Sequence, residues 1–150
     1  YSFLLDQVRD WISFPEQTQA VAALRAKWPQ TSAVLIEAKA NGAAVISTLA
    51  SRIPGIIPIT PTESKRVRAE AVSPFVAAKN VLIPDPESGE TAWAAGLLEE
   101  LATFPQGEHD DQVDAASQAL RWIYQPALRE RAQREAASQL RGADSMFNLG

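Results

Sequence analysis

Ala33-Val34-Leu35-Ile36-Glu37-Ala38-Lys39-Ala40-Asn41-Gly42 is the stretch whose reading decides the fold. A short unbroken apolar run, with β-branched Val34 and Ile36 in it, is the form expected of a strand covered on both faces. The run stops at an acid, Glu37, and Asn41-Gly42 marks a turn. Val45, Ile46 and Leu49 then return at helical spacing until Pro54-Gly55 ends them. Strand, turn and helix in this order form the repeating unit of a parallel sheet.

Working outward, the same alternation continues. Upstream, Val21, Leu24 and Trp28 recur every three or four residues, so residues 15–28 are expected to be helical, with Pro15 suited to the first turn. Residues 1–9, aromatic and aliphatic with no helix start signal, are expected to form a strand. Downstream, Ile56-Ile57-Pro58-Ile59 and Val81-Leu82-Ile83 read as further buried strands, separated by a helix over 64–79 interrupted near Pro74. A proline and acid loop at 84–90 leads into a helix carrying Trp93, Leu97, Leu98 and Leu101, broken by Phe104-Pro105-Gln106-Gly107. The next helix starts near His109 and runs through Val113, Ala116, Leu120 and Ile123 to Pro126. Trp11, Trp28, Trp93 and Trp122 read as core anchors rather than base-stacking groups. Residues 126–150, rich in Arg, Ala, Gln and Ser, read as a flexible or docking tail, helical at most at its start. The expected organisation is an α/β domain over 1–125, a partly parallel sheet flanked by helices, followed by this tail.

Composition narrows the chemistry. At 150 residues the chain has the size of one domain, with an ordinary balance of 46% apolar and 21% charged residues. No apolar run reaches the roughly 20 residues that span a bilayer, and no signal-peptide pattern occurs, so a cytoplasmic protein with no membrane partner is expected. Without cysteine there is no disulfide scaffold, thiolate zinc site or cysteine nucleophile. With a single histidine, any metal must be held mainly by oxygen. A formal net charge of −4 argues against a protein that coats nucleic acid, but not against local contact in a cleft.

Two features place carboxylates where neutral residues are the default. Glu37 stands at the carboxyl end of a buried strand, where ligands collect in open α/β sheets; it equally suits a solvated strand end or a cap on the next helix. The second is His109-Asp110-Asp111-Gln112-Val113-Asp114 at a helix start. Acids there can cap free amides and favour the helix dipole. Their density is the unusual part, because adjacent like charges repel unless a cation or the helix end offsets them. Asp110 and Asp114 share a face, while Asp111 points elsewhere. Together with Glu37 they suggest a hard-cation site, since Mg²⁺ takes oxygen ligands from one or two carboxylates plus waters and phosphates.

Four segments, in order, carry a resemblance to a known family: Leu4-Leu5-Asp6-Gln7-Val8-Arg9; Val34 to Gly42 as quoted above; Ser64-Lys65-Arg66-Val67-Arg68; and Phe104-Pro105-Gln106-Gly107-Glu108-His109-Asp110-Asp111-Gln112-Val113-Asp114-Ala115. They resemble the successive motifs of phage terminase large subunits, in the C-terminal nuclease domain. The resemblance implies a ribonuclease-H-like mixed sheet flanked by helices. It also implies an endonuclease that uses two Mg²⁺ or Mn²⁺ ions to cut concatemeric double-stranded DNA during genome packaging in the cytoplasm of a bacterial host. Partners implied are the terminase ATPase domain, the small subunit and the portal protein. Glu37 matches the family's second metal-binding acid and the Asp110-Asp111 pair its late acid; which of the two aspartates binds is left open. Asp114 follows as a third metal candidate on the same helix. The family's first acid stands on a strand ahead of the segment matching residues 1–9, so the first strands of the fold are expected to be lacking here, and Asp6 is not that acid. No Gly-x4-Gly-Lys-Ser/Thr phosphate loop occurs in the chain.

Lys65, Arg66 and Arg68 form the densest basic cluster and are the expected phosphate contacts, with Lys39 and His109 as further DNA-binding candidates. The expectation of a different class is a non-catalytic module that uses a degenerate form of the fold to dock portal or DNA. Another ribonuclease-H-like nuclease, resolvase-like, would keep the chemistry and change the substrate.

Overall fold

The computed structural model describes residues 1–39 and 41–147, and the side chains within them except those of residues 128, 131 and 139–147. Along the chain the elements are β1 (Ser2–Phe3), α1 (Phe14–Lys27), β2 (Val34–Glu37), α2 (Gly42–Leu49), β3 (Ile56–Ile59), α3 (Lys65–Ala77), β4 (Val81–Leu82), α4 (Ala94–Thr103), α5 (Asp111–Tyr124) and α6 (Pro126–Phe147). The strand and helix alternation expected of an α/β fold is present. The strands form two parallel pairs, β1 with β4 and β2 with β3. No described helix is long and apolar enough to cross a membrane.

The chain packs as two compact units. One takes Tyr1–Val8 and Glu63–Pro126; the other takes Arg9–Thr62 and the segment from Ala127 onward.

In the second unit β2 and β3 run in register from Val34 against Ile56 to Glu37 against Ile59. The bond from the Ala38 amide to the Ile59 carbonyl, 2.9 Å, carries the ladder one step past Glu37. Val45, Leu49 and Ile53 are buried beneath Phe14, Val21, Val34, Ile36 and Ile56, so the apolar stripe of α2 seals one side of this pair. Helix α1 starts at Ser13, whose amide and hydroxyl both donate to the Glu16 carboxylate at 2.6 Å. The turn between β2 and α2 is tight at Gly42, where a Cβ would collide with the Glu37 carbonyl oxygen.

In the first unit β1 pairs with β4 over two residues, Ser2 with Val81 and Phe3 with Leu82. Helix α3 delivers the chain to β4 through Lys79, at φ 59°. The Lys79 amide bonds the Val76 carbonyl and the Asn80 amide the Phe75 carbonyl, the paired bonds that close a helix C-terminus. Tyr124 at the end of α5 stacks on Phe75 with centroids 4.2 Å apart, accepts from Ser2 Oγ and donates to the Asn80 carbonyl. Val72, Ala94, Leu97, Val113 and Leu120 are buried where α3, α4 and α5 meet.

Four local expectations are corrected. The strand over 1–9 is cut to two residues, because its partner β4 is itself only two long, and Tyr1, Phe3 and Leu5 turn outward. The helix over 64–79 is not interrupted at Pro74. Proline removes the amide that would bond the Glu70 carbonyl, and the Ser73 hydroxyl takes that acceptor at 2.9 Å. Trp11 is 99% exposed and anchors no core. Residues 126–147 are helical throughout as α6, in keeping with their Ala, Arg, Gln and Glu content and with Pro126 in the first turn. Residues 148–150 of the expected tail lie outside the described residues.

The Gly42 contact yields a stability test. Gly42→Ala is expected to destabilise the protein by about 1–3 kcal/mol, since the added methyl must push the Glu37 carbonyl and the start of α2 apart. Urea unfolding would measure it, and an unchanged midpoint would show that the turn is not tight.

Candidate functional site

The expected basic cluster and the expected acid cluster meet, but in an order set by helix geometry. Along α3, Lys65 and Arg68 are three apart and share a face, while Arg66 is turned about 100° from Lys65. That face packs on the first turns of α5. Lys65 Nζ lies 2.6 Å from Asp110 Oδ1 and 3.1 Å from Asp111 Oδ1, an ammonium bridging two adjacent carboxylates. One turn further on, the Arg68 guanidinium meets Asp114 through Nε at 2.9 Å and through Nη2. Arg66 faces water and pairs with Glu70 at 2.7 Å on its own helix.

These three cations therefore have different fates. Arg68 is 5% exposed and Asp114 7%, and Arg68 also donates from Nη1 to the Glu63 carbonyl. Such a pair is fully desolvated, and each partner keeps the other from being an isolated buried charge. Arg68 thus points into the protein, and Asp114 is engaged by Arg68, with Gln118 Nε2 at 3.4 Å from the same oxygen. Lys65 is half-exposed. Its partial burial pushes the ammonium pKa down, but the hydrogen bonds and charges of Asp110 and Asp111 outweigh this, so the net shift is upward. The sign follows: this contribution to stability is present below the ordinary lysine pKa and is lost as pH rises through the raised one. The Arg66 pKa is also raised, by the Glu70 hydrogen bond first and its charge second.

The two aspartates differ in exposure. The side chain of Asp110 is 43% exposed and that of Asp111 88%. Both sit at the N-terminus of α5, Asp110 as the residue before its first turn, yet Asp110 makes no side-chain capping bond. Two of the free amides are taken by a residue from another helix. Glu100 of α4, 4% exposed, accepts from the Gln112 amide at 2.6 Å and the Val113 amide at 2.9 Å with one oxygen. Its other oxygen accepts from Gln112 Nε2 at 2.7 Å. Gln112 in turn accepts from Gln7 Nε2, which links the segment after β1 to the same cluster.

Sequence reading missed Glu100 and Gln112. A faint signal existed for Glu100: buried Ala94 and Leu97 precede it at intervals of three, so it continues the covered line of α4. His109 is exposed. Glu37 lies in the other unit, at the end of β2, with its side chain one-third exposed and 3.4 Å from Lys39 Nζ. The structure thus brings Lys65, Asp110 and Asp111 together, and Arg68 and Asp114 together, and within the other unit it sets Lys39 beside Glu37.

Among the described residues no group of three or more His, Cys, Asp or Glu side chains is placed to hold a metal ion. The Asp110 and Asp111 oxygens nonetheless suit a hard cation chemically, because Mg²⁺ is commonly held by one or two carboxylates with water and substrate phosphate completing its shell. They already lie against one cation, the Lys65 ammonium.

A family model described as "Terminase RNaseH-like domain" matches residues 1–121. No curated protein and no solved structure matches the chain.

The buried pair separates two kinds of mutation. Arg68→Ala or Asp114→Ala alone is expected to cost about 3–5 kcal/mol, whereas replacing both with apolar residues of similar volume should cost much less. Chemical denaturation of the two single variants and the double would give the coupling, and additive losses would show that the pair is not desolvated.

Proposed function

Because the chain belongs to the family of terminase RNaseH-like domains, the nuclease-like part of a DNA-packaging enzyme, we propose that it is a metal-dependent endonuclease that cuts concatemeric double-stranded DNA. The observation that carries this reading is the release of Asp110 from capping. Acids at a helix start are ordinarily explained by the free amides they satisfy. Here Glu100 accepts the amides of Gln112 and Val113, and Asp110 and Asp111 project their carboxylates away from that duty, toward Lys65 and solvent.

Asp110 and Asp111 are the acids of this unit assigned to Mg²⁺ or Mn²⁺, and Glu37 is assigned as the acid of the other unit. When bound, such ions lower the pKa of a water and stabilise charge on the leaving phosphodiester oxygen, and two-ion sites do both. The chain's own groups have separate tasks. Asp110 and Asp111 supply negative oxygens at a half-exposed helix end that a phosphate backbone can approach. Lys65 offsets their mutual repulsion while no other cation is present. Asp114, held by Arg68, fixes the helix that carries them and is not assigned as a ligand; Arg68, buried, is not assigned to DNA. Arg66, Lys39 and His109, all exposed, are the groups left to meet phosphates. The ATPase domain, the small subunit and the portal are the partners this reading implies.

The test is cleavage of plasmid DNA with Mg²⁺ or Mn²⁺ by the protein as its gene encodes it. Asp110→Asn, Asp111→Asn and Glu37→Ala are expected to reduce cleavage about 100-fold or more for a true ligand, the several kcal/mol that metal stabilisation supplies. For Asp110→Asn and Asp111→Asn the melting temperature should change little, because relief of repulsion between adjacent carboxylates offsets the loss of one ion pair to the half-exposed Lys65. Metal-independent binding of DNA or portal without cleavage would instead establish a docking module.

A further inference from the structure

Glu100 is a buried carboxyl group with no place in the chemistry described above, and burying such a group is costly unless it is well bonded. Three of its bonds lead to one place. Both oxygens are spent on the first turn of α5, one on two successive backbone amides and the other on the side chain of Gln112. The amides lie at the positive end of the helix dipole, where a carboxylate is favoured. Asp110 and Asp111 immediately precede Gln112, so the backbone that Glu100 grips is the backbone from which the acid pair projects. The grip extends further: Gln112 Nε2 also reaches the Gly96 carbonyl at 3.3 Å, and its oxygen accepts from Gln7. Two stretches of chain, α4 and the segment after β1, thus converge on the turn behind Asp110 and Asp111.

We infer that Glu100 is the positioning residue of the acid pair, holding the N-terminus of α5 so that Asp110 and Asp111 keep a fixed relation to Lys65. The inference deepens the proposed function, and rests on it for the role of the pair. Lys65 and Arg68 approach α5 from α3; Glu100 approaches from α4. With Glu100 removed, α5 keeps its bolt at Asp114 but loses the restraint ahead of it, and the two aspartates are free to swing with an unravelled first turn. Groups that orient metal-binding side chains through hydrogen bonds typically change metal affinity 10- to 100-fold when lost.

The experiment has a readout of position and one of metal. Side-chain ¹³C carboxyl signals of Asp110 and Asp111, recorded without metal, are expected to shift toward solvent-like values in Glu100→Ala and to stay nearer wild type in Glu100→Gln, whose amide oxygen still accepts from the Gln112 and Val113 amides although its NH2 no longer accepts from Gln112 Nε2. Mn²⁺ titration of the same proteins should show affinity about 10-fold weaker or more in Glu100→Ala and within about 3-fold of wild type in Glu100→Gln. Should Glu100→Ala fail to fold, Gln112→Ala, which removes the side-chain bonds to Glu100, Gly96 and Gln7 but leaves the Gln112 and Val113 backbone amides on Glu100, is expected to give smaller changes of the same sign. Unchanged carboxyl signals in Glu100→Ala, or in Gln112→Ala where that variant must stand in, would overturn the inference, leaving Glu100 as a support for α5 alone. If instead the signals shift but Asp110→Asn with Asp111→Asn leaves Mn²⁺ affinity untouched, the metal reading of the pair fails while the positioning by Glu100 stands.

Discussion

Arg68 and Asp114 leave water together, and the register of α3 on α5 depends on that. A guanidinium and a carboxylate in a dry interface tolerate no slip: moving one helix by a residue would strand both charges, at a cost of several kcal/mol. The pair therefore contributes more to which arrangement forms than to how stable it is, since apolar residues of the same volume could pack there as well. Its consequence lies one turn away. With Arg68 on Asp114, the helical repeat puts Lys65 beside Asp110 and Asp111, and Arg66 on the opposite, wet side. An interior contact thus fixes which basic residues face solvent and which face the acids.

Carboxyl groups near the start of α5 are sorted by burial into separate jobs. Glu100 and Asp114 are both nearly inaccessible, and each accepts from donors on a different helix. Asp110 and Asp111 are accessible and share one ammonium. Had Asp110 capped its own helix, the position would read as a routine helix start, since Asp is among the best residues for it. The cap delivered from α4 changes that reading, because it meets the amides' need before the aspartates are considered.

Much of the architecture was legible because it follows from short-range pattern. The apolar runs at 33–36, 56–59 and 81–83 hold the strands Val34–Glu37, Ile56–Ile59 and Val81–Leu82, and Val45 and Leu49 lie on the inward face of a helix, as periodicity requires. Failures came where a distant or neighbouring group altered the local rule. Pro74 does not break α3 because Ser73 supplies the missing donor. The first strand is short because its partner is short, and nothing within residues 1–9 states the partner's length. Arg68 looked like a DNA contact beside Lys65 and Arg66, although the 100° turn per residue already separated Arg66 from the other two. What sequence could not supply was the identity of the acid opposite Arg68, 46 positions away. Glu100 was hidden for the same reason, since its value lies in amides belonging to another helix.

Charge balance around this helix end supports the metal reading. Asp110, Asp111, Asp114 and Glu100 converge there, and the contacts bring Lys65 and Arg68 against them. Arg68 is matched by Asp114. Glu100 is offset in part by the amides, whose summed dipole is worth roughly half a positive charge. That leaves Lys65, one positive charge, against two aspartates at the accessible edge. A lone ammonium does not neutralise two carboxylates that stand side by side, and with Glu100 already on the first-turn amides the accessible edge keeps a residual negative field. Such an edge suits carboxylates that would hold a divalent cation where a phosphate can reach it from solvent.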